Sequence, residues 1–478
     1  MRRCRWIEIA GLLSCVFWAI GGIAQVDTVE VRVFGGQRDD RGLRLVELVN
    51  GEVLALCTTN STTDEEPHAW LHRFDSLVNL VWDATISDSP LLQPVDVVEH
   101  GSGFMTVLGM RYASASAAYD WGWYTLDSSG NPISETQWGS EAWDIPARIL
   151  ERNDSLWSLG TTYASGSSDI LMTLHTWDED AWLYQGSWSW DSGEAEEVSD
   201  AAFLGASIAV STTSNGQAHC TVFHPSNGDM EWTYATPFDI PTTSKAIDVR
   251  DSSVVMLFNA DTSDGERLGF VCLNVAGDVS LESIPGSGVD LAGEDIAWYS
   301  PNNFATVAAT SQLGLGEGDW LFSRWTDTGV WQGGPTFGTP YDEIPSAILN
   351  TSDGRIWMMG FSDGYSNGRD DVYLLVTPSP QVGNNDIFIN IQTHIANNTV
   401  EIQEPAKEQS IEVYPNPVTD FFTIVHAKPA ESWSVVDAVG RRVLQGLGST
   451  GDASRLVPGH YLLQLDESKK TIPVWVVR

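Results

Sequence analysis

Apolar residues in this chain come in short runs, broken at close intervals by Gly, Asn, Asp or Ser. No stretch sustains the period of an amphipathic helix, so the pattern predicts an all-β protein. One apolar run keeps returning, as ALCTTN, VLGMRY, SLGTTY, AVSTTS, MLFNAD, VAATSQ and MMGFSD. Cys57, Gly109, Gly160, Ser211, Phe258, Ala309 and Gly360 take the same place in it, spaced by about 51 residues with one shorter interval of about 47. A further strand follows each time (AWLHRF, DWGWYTL, DILMTL, AHCTVF, LGFVCL, DWLFSRW, DVYLLV). Next come a turn such as DSSGN or SNGDM and a fourth strand that often carries Trp, as at Trp82, Trp232 and Trp331. The Ser-Gly and Asn-Gly pairs suit tight hairpins that need positive φ.

Four antiparallel strands per repeat, seven times over, predict a seven-bladed β-propeller across residues 25–380. A sandwich would not keep so constant a period, and a solenoid leaves the two ends unexplained. The last repeat stops after DVYLLV without a fourth strand, and VDTVEVRVFGG near the N-terminus reads as the missing one. Pairing the two would close the ring and leave few open strand edges. The stretch FGTPYDEIPSAILNTSDGRIWMMGFSDGYSNGRDDVYLLV resembles the repeats of a family of exported bacterial proteins, which carry Tyr-Gly-Gly, Asp-Glu and Thr-Ser-Asp-Gly-Gly. Residues 235–283 lack both the glycines and that turn. The resemblance implies a fold far more than an activity.

Residues 381–409 read as a linker, and residues 410–478 begin a new style. Strand-like segments joined by Asp-Ala-Val-Gly and Val-Pro-Gly turns predict a small C-terminal β-sandwich. Its markers are Tyr414-Pro415-Asn416-Pro417, then Asp437, Gly440 and Arg441, then Leu456, Gly459 and Tyr461. Together they closely resemble the type A C-terminal sorting domain of type IX secretion substrates. Pro473-Val474-Trp475 departs from it, standing where many members place a lysine. The resemblance implies the type IX secretion machinery as partner and a secreted or outer-surface destination. In that family the domain is usually removed afterwards, and the cargo is released or fixed to surface lipopolysaccharide.

The N-terminus fits such a route. MRRCRW is basic, the run to Ala24 is apolar, and Gly22-Ile23-Ala24 offers small residues for cleavage, so residues 1–24 read as a signal peptide. No transmembrane segment is expected in the mature chain. The formal net charge is −39, and removing residues 1–24 (with Arg2, Arg3, Arg5 and Glu8) makes it −41. From Ser410 onward seven basic residues balance seven acidic ones, so the acidity belongs to the repeats. Such a surface repels nucleic acid and anionic lipid. Cys57, Cys220 and Cys272 are too few and too scattered for a disulfide framework and read as small core residues.

No nucleophile elbow, zinc helix, phosphate loop or Cys-x-x-Cys is present, and no catalytic residue is nominated. Asp120, Asp169, Asp319 and Asp371 each open the third strand of a repeat. That recurrence reads first as backbone capping, with Ca²⁺ as the one ion such carboxylates would suit. The acidic stretch SWDSGEAEEVSD, with Asp191, Glu194, Glu196 and Glu197, is a second cation candidate that reads first as an exposed loop. Otherwise no cofactor is expected. Trp82, Trp157, Trp232 and Trp357 are expected in the core, whereas Trp121, Trp138 and Trp143 lie near strand ends, where indoles stack on sugars or partners. The expected function is non-catalytic binding of a glycan or protein ligand. The alternative is a secreted polysaccharide hydrolase or lyase acting at the propeller channel.

Overall fold

The computed structural model describes residues 29–377 and 412–477, apart from 62–66, 87–91, 102, 114–117, 264, 287–288, 315–317, 339–340, 364–369, 415–417, 420, 426–431, 437–440, 458 and 466–470. The signal segment, the linker and the sorting-motif residues Pro415, Asn416, Pro417, Asp437 and Gly440 lie outside the described residues. Among those described there is no helix, hence none long and apolar enough to cross a membrane. Contacts divide the chain into two units, residues 1–400 and 401–478.

The first unit holds seven four-stranded antiparallel sheets, I to VII in chain order. Their first strands are Asp40–Glu47, Leu92–His100, Asp144–Arg152, Glu196–Leu204, Thr242–Arg250, Ala292–Ser300 and Glu343–Asn350. Each first strand lies against the next one, and that of sheet VII lies against that of sheet I, so the seven follow one another in a cycle. Within a sheet the strands run outward in order, and burial follows. Val53–Thr59 of sheet I is covered on both faces, while its fourth strand, Leu80–Ile86, alternates exposed with half-buried. This is why the second and third strands read as continuous apolar runs and the fourth as an alternating one. Sheet VII takes its fourth strand from the N-terminal side: Glu30–Phe34 pairs antiparallel with Asp371–Thr377, from Glu30 opposite Val376 to Phe34 opposite Val372. Among the described residues the cysteines Cys57, Cys220 and Cys272 are buried and unpaired.

Two recurring contacts tie neighbouring sheets together. Trp82 and Trp232, both on fourth strands, donate their indole N–H to Ser128 O and Val275 O in the outer turn of the following sheet, at 3.1 and 3.0 Å. Gly130 and Gly277 in those turns have φ of +82° and lie against the indole rings, so the position demands both a left-handed backbone and no side chain. The second contact is nearer the axis. A Cβ at Gly160 or Gly360 would stand 2.8 Å from the ring of Trp121 or Trp320 of the preceding sheet.

The first strand of every sheet carries a β-bulge, after Gly42, Pro94, Pro146, Val198, Ser244, Gly293 and Pro345. The repeat position expected from sequence pairs with the residue before the bulge in five sheets. In sheets IV and VI it is one residue off, because Thr212 faces Val198 and Ala308 faces Gly293.

The second unit has a three-stranded sheet (Glu412–Tyr414, Phe421–Val425, Thr450–Asp452) and a four-stranded one (Arg442–Leu447, Ser432–Val436, Gly459–Leu465, Thr471–Val476). They share one apolar cluster that includes Val418, Phe422, Trp433, Leu463 and Val474. Of the sorting markers described, Leu456 is buried in that cluster, Arg441 is exposed, and the Tyr461 hydroxyl donates to Val457 O at 2.8 Å.

Candidate functional site

A β-bulge turns the next side chain away from the pleat it would otherwise occupy. The seven re-aimed residues are Arg44, Asp96, Arg148, Asp200, Ala246, Asp295 and Ala347. Arg44 of sheet I reaches three carboxylates from three other sheets: Nη2 is 2.9 Å from Asp200 Oδ1, Nε 3.5 Å from Asp96 Oδ1, and Nη1 3.9 Å from Asp295 Oδ2. Only a residue at the middle of the cycle can touch sheets II, IV and VI together. Arg148 adds contacts of 3.2 Å to both Asp96 and Asp200.

Each aspartate also accepts a backbone N–H from a neighbouring first strand, and Asp295 uses its other oxygen, Oδ1, for Ile296 N at 2.9 Å. Asp96 Oδ2 accepts from Ile149 N at 2.9 Å, Asp200 Oδ2 from Ile247 N at 3.1 Å, and Asp295 Oδ2 from Ile348 N at 2.8 Å. Asp248 likewise accepts from Trp298 N at 2.7 Å. Every oxygen of the three belt carboxylates is therefore in use, either by a guanidinium or by a backbone N–H. Chemically this belt cross-braces the inner strands; it presents no idle acid and base.

Burial pushes the Asp96 carboxyl up to about 7, against the pull of Arg44 and the Ile149 N–H. Burial likewise raises Asp295 to about 6, opposed first by Arg44, and Asp248 to about 6, opposed by the Trp298 N–H. A carboxyl whose folded pKa exceeds its unfolded value lends stability that is complete below the unfolded pKa and is lost as pH rises through the folded one. Three buried histidines act the other way. Burial lowers His72 to about 3, and His100 and His175 to about 4, so their contribution is complete above pH 6.5 and is lost as pH falls. From about pH 4 to 6.5 the two sets oppose each other. Asp96→Asn, which keeps an acceptor for Ile149 N, is expected to unbalance them. Its unfolding free energy should climb more steeply with pH than that of the unaltered protein, by up to about 1.4 kcal/mol per pH unit between pH 4 and 7. Urea unfolding at four pH values checks this; equal slopes would mean that Asp96 is ionised throughout.

The three tryptophans nominated as ligand contacts separate in the structure. Trp121 is fully buried, edge-on to Trp123 and packed where Gly160 of the next sheet leaves room. It is a wedge between sheets, which corrects the expectation that it is open to a ligand; the matching pairs Trp121/Gly160 and Trp320/Gly360 were the signal for this. Trp138 is half-buried against Trp121 and stacked on Tyr184 of sheet III. Trp143 alone is open, at 51% exposure. It stands edge-on to Tyr119 at 5.4 Å, and its carbonyl accepts from the N–H of Tyr163, which is itself 37% exposed. Trp82, Trp157 and Trp232, expected in the core, are half-buried clamps whose N–H groups reach the next sheet; Trp357 is buried.

Asp120, Asp169, Asp319 and Asp371 are all buried; the last three open third strands as expected, whereas the third strand of sheet II begins two residues before Asp120, at Ala118. The acidic stretch divides: Asp191, Glu194 and Glu197 are exposed, but Glu196 is buried as the opening residue of sheet IV.

Residues 412–477 match the family model of the secretion system C-terminal sorting domain. The tail thus marks the chain as a substrate of the type IX secretion machinery, sent to the outer surface or beyond. No curated protein matches the chain in sequence. Among solved structures, a polysaccharide lyase described as an ulvan lyase is similar at 12% identity, covering 73% of this chain and 96% of its own, with a TM-score of 0.49. The α-L-arabinofuranosidase of Fusarium graminearum is similar at 10% identity over 76% of this chain and 99% of its own, with a TM-score of 0.44. The propeller of Dos1 is similar at 10% identity over 71% of this chain and 93% of its own, with a TM-score of 0.43. At these values the likenesses carry nothing about activity.

Proposed function

We propose that residues 25–380 form a seven-bladed β-propeller, exported behind a signal peptide at residues 1–24. The linker 381–409 joins it to a sorting β-sandwich at residues 410–478. In this reading the propeller binds a glycan without cleaving it, at the rim where sheets II and III meet. The supporting observation is Trp143: a half-exposed indole braced edge-on by Tyr119, with Tyr163 beside it. Aromatic faces held this way pack against the C–H face of a sugar ring, and bracing lowers the ordering cost of binding. The non-catalytic part rests on the belt, whose carboxylates are all engaged by Arg44, Arg148 or backbone N–H groups.

A glycan array probed with the purified chain tests this reading. Saturable binding to one glycan class is expected, and Trp143→Ala should weaken it by at least about tenfold, a loss of about 1.4 kcal/mol. The folded state should stay unchanged, because the ring is at the surface. Binding that survives the substitution would place the ligand elsewhere. Products released from the bound glycan would overturn the non-catalytic reading and favour a hydrolase or lyase at the channel.

A further inference from the structure

One arrangement recurs where consecutive sheets join. Asp371, Asp169 and Asp319 open third strands and Asp120 is the third residue of one, while Asp40, Asp144, Glu196 and Glu343 open the first strands of the sheets that follow. All eight are buried, Asp120 least so. Five residues before the first-strand acid stands Gly35, Gly139 or Gly338 at three of these junctions. A Cβ there would fall 2.0, 2.2 or 1.4 Å from a carboxylate oxygen of Asp371, Asp120 or Asp319. At the fourth junction, between sheets III and IV, the same position is Asp191.

Three carboxylates meet there as a result. One oxygen from each of Asp169, Asp191 and Glu196 lies within 4.8 Å of the others. Among the described residues no Lys or Arg pairs with them. Glu196 has no exposed surface; its Oε1 takes hydrogen bonds from the Ser192 and Ser214 hydroxyls, while its Oε2 has no hydrogen-bond donor among the described residues. A buried carboxylate oxygen without a partner costs about 1–3 kcal/mol or more, and two like charges beside it add to that.

The fold itself does not require acid at such a junction. Between sheets IV and V the corresponding groups are neutral: Gln217 Oε1 accepts from the Thr236 and Thr242 hydroxyls at 2.9 and 3.2 Å. An all-oxygen donor set with two buried carboxylates and one exposed suits a hard divalent cation entering from the Asp191 side.

We propose that Asp169, Asp191 and Glu196 bind one divalent cation at the junction of sheets III and IV, and that the ion is Ca²⁺. The Ser167 hydroxyl holds Asp169 Oδ1 at 3.1 Å and the Gly193 N–H holds Asp191 Oδ1 at 2.6 Å, bonds that orient the two carboxylates beside Glu196. Ca²⁺ accepts six to eight oxygens at variable angles, so loop carbonyls and water complete the shell, whereas Mg²⁺ demands a stricter octahedron.

The test uses the full chain stripped of metal with a chelator and titrated with CaCl₂ at physiological salt. We expect one saturable site, half-filled on the order of 10⁻⁴–10⁻³ M as in other extracellular modules, and a rise in Tm that Mg²⁺ does not reproduce. Asp191→Gly gives this junction the pattern of the other three. It should abolish the site and the Ca²⁺-dependent rise, while the metal-free Tm rises through relief of like-charge repulsion. Glu196→Gln should abolish the site as well; if it fails to fold, Asp191→Gly still decides. Absent saturable uptake, or equal uptake by Asp191→Gly, would overturn the proposal, and an equal response to Mg²⁺ would overturn the choice of ion.

Discussion

Replacing Arg44 by Met is expected to destabilise the protein by about 3–5 kcal/mol, the usual cost of stripping the partner from buried charge. Among the described residues the guanidinium is the one group that touches Asp96, Asp200 and Asp295 together. Without it, Asp295 keeps only backbone donors, and Arg148 alone must serve both Asp96 and Asp200. Met fills much of the volume, so the loss reports charge rather than a cavity. Lys in place of Arg should recover little, because a single ammonium cannot reach in three directions. Asp200→Asn in the Met background separates the explanations, since the amide still accepts from Ile247 N. If the charges are coupled, this second change should cost much less in the Met background than in the native one, a difference read from chemical denaturation. Equal costs in both backgrounds would show that Arg44 acts by packing alone.

Deleting the strand Glu30–Phe34 should have a still larger effect and prevent recovery of soluble, folded protein. The strand covers the edge of Asp371–Thr377 from Val372 to Val376, and Phe34 packs edge-on to Trp70 in the core shared by sheets VII and I. Phe34→Ala alone should cost about 3–5 kcal/mol. Removing all five residues also opens an apolar strand edge, which invites pairing between molecules. The check is the elution volume and urea midpoint of the shortened chain against Phe34→Ala. A monomeric, cooperatively unfolding truncation would show that sheets I to VI support themselves.

The strands, their grouping by four and the partner of Glu30–Phe34 were legible because each rests on a local or periodic signal. Apolar runs mark the doubly covered strands, and Asn215-Gly216, with φ of 49° and 70°, marks a tight turn. The belt was not legible by the same means. Its position is occupied by Arg, Asp and Ala in turn, so a search for recurring residue types passes over it. Its trace is arithmetic: Asp96 and Arg148 are 52 residues apart, and Arg44 and Asp200 are 156 apart. The Trp121 error has a related cause. A residue near a strand end looks exposed in one dimension, whereas its burial depends on Gly160 in the neighbouring sheet. The junction of Asp169 with Glu196 was visible only as two separate acidic features. Folding brings them together, because one sheet's third strand begins beside the next sheet's first.

The swap of strands at sheet VII also imposes a schedule on the molecule. Val31 and Leu375 cannot meet until almost all of the repeat region has been made. Contacts separated so widely in sequence carry a high entropic cost of loop closure and form slowly. Until that moment Glu30–Phe34 and the outer edge of Asp371–Thr377 remain unmatched, and the chain lacks its final lock. A polypeptide bound for passage through membranes gains from such a delay, since a premature compact state would be a poor passenger. The latest contact to form in the propeller region lies within 40 residues of the sorting tail (Val376 to Glu412), so the completed fold and the export label become available almost together.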